Sequence, residues 1–547
     1  MDYLKVIKNY SKRDKQISLI LVSLIAVSLI IIGINFFAPK NSVNPQTYYT
    51  EGLVGELPTL NPLFREYSRV NRELSSLVYS GLTKYNPEKN AFDPDLANFE
   101  VSGDGTVFTF TLKSDIFWQD GTPLTTDDVL FTYKTIIQND NFENAILKSN
   151  FIDVDIALTA ENEITFTLPK ANTYFLSHTD TPILPKHIFG EIPVEEMIQA
   201  VTPENSIGTG PYSLKTLQTN PDFTKQIDLK LNEKYYGNLP TIKNIRFLIF
   251  NSEEELLLNQ EALNSIPYLK YESLSGLDAA TFQTESYVLP EYTAIFINTD
   301  IAPLTQSIAR KALSWGANKK DLLVSLPSKE IISGPFFQFE EIGELMTANY
   351  PAIIQEIEAE DWDINDAGVY EKNGYTMDYT LTIQNFPNNP LKNEENERIV
   401  QHLIDSYKKI GVRITPSYLD PTAFSKALQS KNYELILGGH SLGNNLDTYS
   451  FWHSSQTGTG GTNLSNYQNV VVDNLLENLR QTSNPQSQRE LIQELNLRIK
   501  EDVPAIFLYT EKHLFAFDNK IKKRKILKSY AQPSDRFYNL AQWELKK

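Results

Sequence analysis

The clearest rhythm in this chain has a period of two. In Thr106–Lys113 (TVFTFTLK), Phe108, Phe110 and Leu112 fall on one side and threonines on the other. Ile164, Phe166 and Leu168 repeat the pattern in EITFTLP, so both segments predict strands with one buried face. Ser102-Gly103-Asp104-Gly105 precedes the first strand and offers the positive-φ residues of a tight reversal. Helical spacing is equally plain. Thr125-Thr126-Asp127-Asp128 supplies a hydroxyl cap and first-turn carboxylates, and Val129, Leu130, Tyr133, Ile136 and Ile137 then share a face. A second helix runs through Ile399, Leu403, Ile404, Tyr407 and Ile410, stops at Gly411 and gives way to a strand at Val412–Thr415. Helix followed by strand indicates an α/β body, and no repeat or low-complexity tract suggests a solenoid or propeller.

One stretch has no polar rhythm at all. Ile17–Phe37 is uncharged over 21 residues, the length a helix needs to cross a hydrocarbon core of about 30 Å. Lys5, Lys8, Lys12, Arg13 and Lys15 outweigh Asp2 and Asp14 before it, a net +3 that predicts a cytoplasmic amino terminus. The run exceeds a signal-peptide core, and no small-residue cleavage site follows cleanly in Phe37-Ala38-Pro39-Lys40, so the reading is a retained single-pass anchor. Residues 38–47 read as a tether, and the main body is expected outside the cytoplasm, at the cell surface or in the periplasm.

Composition narrows the function further. With 547 residues, 41% hydrophobic and 22% charged, the chain suits several globular units. A formal net charge of -18 opposes nucleic-acid binding. The absence of cysteine excludes disulfides, thiolate metal sites and lipidation through a thiol.

Several blocks in order resemble the extracellular solute-binding proteins of family 5, the oligopeptide, dipeptide and nickel binders of ABC importers. They are Gly55-Glu56-Leu57-Pro58-Thr59-Leu60-Asn61-Pro62, Leu77–Tyr85, and Pro94-Asp95-Leu96-Ala97 leading to Trp118-Gln119-Asp120-Gly121 and Thr126-Asp127-Asp128-Val129. Ile207–Tyr212 and Ala309–Ser314 continue the series. The resemblance implies a two-lobed, periplasmic-binding-protein-like α/β fold (type II, Venus-flytrap) with an inserted subdomain. Lobe I would comprise 48–68, 201–290 and 511–547, the insertion 69–200, and lobe II 291–510. It also implies a monomer that captures a peptide or peptide-like solute for ABC permease subunits, needs no cofactor and performs no covalent chemistry.

The segment expected to meet ligand is Tyr433–Trp452, a strand running into Gly438, Gly439 and His440 and then a loop with Asn444 and Asp447 before Tyr449, Phe451 and Trp452. Glycines there allow close backbone approach. In the family's peptide binders a loop aspartate pairs with the ligand's amino group. Here that position falls on Asn444, which supplies no counter-charge, and Asp447 is equally readable as a replacement or as a loop and cap residue. Glu56, Leu57 and Tyr79 are the corresponding candidates from lobe I, and Trp452 completes the expected site.

One enzymatic pattern competes. Gly439-His440-Ser441-Leu442-Gly443 is a literal G-x-S-x-G, with Asp473, Asp502 and His513 downstream. A nucleophile elbow needs a helix directly after it, and Gly443-Asn444-Asn445-Leu446-Asp447 is turn-forming. A membrane-anchored serine hydrolase using Ser441 is therefore the secondary reading. The six histidines show no metal-binding spacing, although His440 and His453 flank the expected cleft.

Overall fold

In a computed structural model the described residues are 48–221, 224–324, 326, 328–337, 348–387, 390–443 and 447–546. The predicted span at 17–37 and tether at 38–47 lie outside them. Among the described residues no helix is long and apolar enough to cross a membrane.

The chain opens with strand β1 (Tyr49–Val54) and helix α1 (Arg69–Val78). Ser68 caps the helix by accepting from Asn71 N at 3.2 Å, and its hydroxyl donates to the Glu56 carbonyl, tying the β1–α1 loop to the helix start. A separate four-stranded sheet follows, from β2 (Ala97–Val101), β3 (Val107–Leu112), β4 (Asp155–Ala160) and β5 (Glu163–Thr167), in the order β2-β3-β5-β4. The period-two reading holds here: Phe108, Phe110, Ile164 and Phe166 are buried, and Thr109 faces Thr165 across the ladder. The turn before β3 places Gly105 at φ +69. The helix begun at Thr126 continues from Phe131 to Ile137 in π-helical winding, with Val129, Tyr133, Ile136 and Ile137 buried as their spacing predicts.

Apart from small two- and three-stranded sheets, the other strands are β6 (Tyr212–Thr219), β7 (Lys225–Leu231), β8 (Asn244–Phe250), β9 (Ser265–Leu269), β10 (Phe282–Val288), β11 (Glu291–Ile297), β12 (Lys329–Ile331), β13 (Asp378–Gln384), β14 (Arg413–Leu419), β15 (Leu435–Ser441) and β16 (Ala505–Asp518). With β1 they form one 12-stranded sheet, ordered β14-β13-β15-β11-β16-β9-β1-β8-β7-β6, with β10 and β12 also paired to β16. Strand β16 runs for 14 residues and joins the two halves. Its first half pairs with β11 and β12, and its second half with β9 and β10. Only Glu511 and Lys512 in its middle are not buried.

Around the first half of β16 the sheet is covered on both faces by helices α2 (Ser307–Gly316), α3 (Tyr350–Ala359), α4 (Pro390–Lys408), α5 (Pro421–Ser430), α6 (Val470–Gln481) and α7 (Pro485–Asp502). Ile295, Ile297, Leu435 and Leu437 meet Leu313, Ile357, Leu403 and Tyr407 on one side. Phe296 and Ile436 meet Phe424, Leu476, Leu479 and Leu495 on the other. The helix predicted to end at Gly411 is α4, and Gly411 takes φ +66 before β14.

The carboxy-terminal segment is fastened by charge. Arg536, 4% exposed on its side chain, donates to Glu51 of β1 at 2.5 Å and to Glu73 of α1 at 2.6 Å, both carboxylates fully buried. Ser265 donates to Glu51, and Tyr268 to Glu73. Burial opposes the charge on Arg536, but the two carboxylates outweigh it and hold the guanidinium protonated. Removing the cation alone strands two buried anions. Arg536→Met is expected to cost about 3–5 kcal/mol, read as a lower urea midpoint, whereas combining it with Glu51→Gln and Glu73→Gln should recover most of that loss.

Candidate functional site

A cleft of about 280 Å3 opens where β11, β15 and β16 come together, lined by Glu291, Tyr292, Thr293, Gly439, His440, Ser441, Tyr509 and Glu511. The register is antiparallel, with Glu291 opposite Ser441, Tyr292 opposite His440, and Thr293 opposite both Gly439 and Tyr509. Because side chains alternate along a strand, Glu291, Thr293, Gly439 and Ser441 share one face while Tyr292 and His440 turn to the other. Gly439 is required by packing: a Cβ there would sit 2.3 Å from the Tyr292 carbonyl oxygen.

Each cleft carboxylate has a basic partner. Glu291 meets His513 Nε2 at 3.1 Å, and although burial would raise its pKa, His513, Arg69 and Arg72 lower it further. Glu511 pairs with the buried Lys329 at 2.7 Å, which also reaches Glu395 at 3.1 Å. Burial alone would raise Glu395, yet Lys392 and Lys329 hold it at about 2, and it accepts from the Tyr509 hydroxyl at 2.8 Å.

His440 borders the cleft, but its ring packs into the aromatic core. Its ring stacks on Phe451 at 4.0 Å and 12°, lies 4.6 Å from Phe296, and bonds through Nδ1 to the Tyr292 hydroxyl at 2.9 Å. Burial, with the charge of Lys431 adding to it, lowers its pKa to about 3, so the ring is neutral at physiological pH. Trp452 is fully buried in the same cluster. Asp447 receives Arg480 through two parallel bonds, Nε at 3.0 Å and Nη2 at 2.7 Å, and accepts from Tyr449 N, which fixes the loop.

Of the residues expected from the sequence, Gly439 and His440 border the cleft and Gly438 precedes them on the same strand. Glu56 and Leu57 lie in the loop tied to α1, with Glu56 exposed. Tyr79 is buried at the end of α1, bonded to Ser206, and borders a different pocket with Asp95, Asp180 and Asp535. Asn444 lies outside the described residues. Glu291, Thr293, Tyr509 and Glu511 were not singled out in the sequence. Their signal is the polar interruption of apolar strands, Pro290-Glu291-Tyr292-Thr293 and Thr510-Glu511-Lys512-His513. The hydrolase reading finds no support. Ser441 ends an extended strand, and among the described residues no histidine lies within hydrogen-bonding distance of it. Asp473 bonds Ser454 N, Asp502 accepts from Tyr467 and Asn469, and His513 faces Glu291.

A family model described as bacterial extracellular solute-binding proteins, family 5 Middle, matches residues 91–463. The chain belongs to this family. As a family 5 protein it is a solute-binding protein, and its fold is the two-lobed mixed α/β arrangement. Among curated proteins it is 23% identical to the oligopeptide-binding protein AppA of Bacillus subtilis over 536 residues, 94% of each chain. It is 22% identical to the dipeptide-binding protein of Escherichia coli, covering 79% of this chain and 83% of that one. Among solved structures, B. subtilis AppA in complex with a nonapeptide superposes with a TM-score of 0.72 at 21% identity, covering 91% and 99%. NikZ of Campylobacter jejuni in complex with Ni(L-His) gives 0.72 at 21%, covering 91% and 100%.

The neutral His440 gives this family 5 protein an acid-sensitive core. Unfolded chain takes up a proton at this histidine below about pH 6.5, whereas the folded protein resists until about pH 3. The stability present above pH 6.5 is therefore lost as pH falls, by at most about 2 kcal/mol at pH 5. His440→Phe, which keeps the stack, should flatten the fall in urea midpoint from pH 7 to 5, while the unpaired Tyr292 hydroxyl lowers stability at pH 7.

Proposed function

We propose that this protein is the extracytoplasmic substrate-binding component of an ABC importer, which captures a peptide or peptide-like solute by closing lobe I (48–68, 201–290, 511–547) against lobe II (291–510), with 69–200 as the inserted subdomain. The observation that carries the reading is the cleft itself. It opens at strand ends beside β16, the strand that both halves of the sheet share. A bend there changes the gap between lobes without unmaking either ladder.

The ligand main chain is placed along the exposed end of β15 at Gly439 and Ser441 and against the Glu56-Leu57 loop, so that backbone bonding gives affinity with little dependence on ligand side chains. Asp447 and Trp452 then support the site, the one through Arg480 and the other from the core. The amino-group role left open by Asn444 has two carboxylate candidates in the cleft wall, Glu291 and Glu511. Residues 17–37 serve as a single-pass anchor with a cytoplasmic amino terminus, which keeps the captured solute close to its permease. B. subtilis AppA, seen with a nonapeptide, supports a peptide as the ligand class.

The test is to purify the full chain in mild detergent under native conditions and identify by mass spectrometry what denaturation releases. A set of short peptides is expected. A single defined non-peptide compound would overturn the ligand class, and an empty protein that no peptide mixture stabilises thermally would count against capture itself.

A further inference from the structure

We propose that Arg69 is the docking point for a carboxylate of the captured ligand, an inference that rests on the peptide reading of the same cleft. Three arginines lie close together in and before α1, and two are already paired. Arg65 meets Asp180 at 2.8 Å and Arg72 meets Glu66 at 2.5 Å. Arg69 is exposed and makes no ion pair among the described residues. Its guanidinium instead lies over the Tyr268 ring, 4.3 Å from the centroid.

That ring is a fixed platform. The Tyr268 hydroxyl donates to Glu73, which is buried and paired with Arg536. A guanidinium stacked on a held ring loses little freedom when it takes up a planar anion, and its parallel N–H groups match a carboxylate. The position also suits a ligand. Arg69 directly follows Ser68, whose hydroxyl holds the Glu56 carbonyl. Arg69 feels the charge of Glu291 and Glu511, both in the cleft wall, yet forms an ion pair with neither. Those two carboxylates have partners of their own in His513 and Lys329.

The carboxylate could be the carboxy terminus of a peptide or an acidic side chain, and synthetic libraries of four- to nine-residue peptides separate the two. Full-length protein stripped of ligand is offered three of them: free acids lacking Asp and Glu, the same sequences as carboxy-terminal amides, and amides that contain Glu. Retention is read by mass spectrometry after ultrafiltration. Wild-type protein is expected to retain the free acids, or the Glu-containing amides, at least tenfold better than the uncharged amides. Arg69→Gln should erase that preference while still retaining peptides, and Arg69→Lys should keep part of it, with melting temperatures confirming that both variants fold. The inference falls if wild-type protein retains all three libraries alike, or if Arg69→Gln keeps the preference. Failure of wild-type protein to retain any library would remove the peptide reading, and this inference with it.

Discussion

Strand β16 is the constraint on which the rest of the structure depends. Its 14 residues carry ladder bonds to β11 and β12 first and to β9 and β10 afterwards. Each half of the large sheet is thus completed by the same continuous backbone. Ladder bonds hold each end rigid, and the run is least buried at Glu511 and Lys512, where partners change. A two-lobed receptor needs such an element: strong enough that neither lobe frays, yet able to absorb a few degrees of rotation between partner sets. The cleft opens beside that change of partners, so a ligand bound there can bias the angle between the lobes by its differential affinity for the closed form.

Charge placement follows from the same geometry. Near the hinge strands, Lys329 links Glu511 to Glu395, and His513 meets Glu291, so the cleft wall is ionic but internally compensated. Away from the cleft, Arg536 closes two fully buried carboxylates and fastens the carboxy-terminal segment to β1 and α1. The two clusters meet at Tyr268, whose hydroxyl reaches Glu73 while its ring carries Arg69. Folding stability and the electrostatics of the cleft are in this way supported by one side chain.

Where one face of an element is buried, the sequence could be read directly. Phe108, Phe110, Ile164 and Phe166 sit as their alternation indicates, and Gly411 ends the helix before β14. The candidate site was harder to read, for a physical reason. Strand β15 is covered by helices on both faces, so Leu435-Ile436-Leu437 shows no alternation and the side to which His440 turns could not be inferred. Asp447 owes its role to Arg480, 33 residues further along the chain, and Glu51, Glu73 and Arg536 come from opposite ends of it. No local pattern encodes such pairings. The family motifs identified the fold, while the cleft residues Glu291 and Glu511 emerged only once the register of β11 and β16 was known.

The central claim is that ligand occupancy closes two lobes about β16. The chain contains no cysteine, so spin labels can be introduced cleanly at the exposed positions Leu258, in lobe I, and Val470, at the start of α6 in lobe II. The distance distribution between them should be broad or long in protein stripped of ligand and become shorter and narrower when the natively bound peptides are restored. An unchanged distribution, with ligand binding verified in the same sample, would contradict hinge closure as the mode of capture.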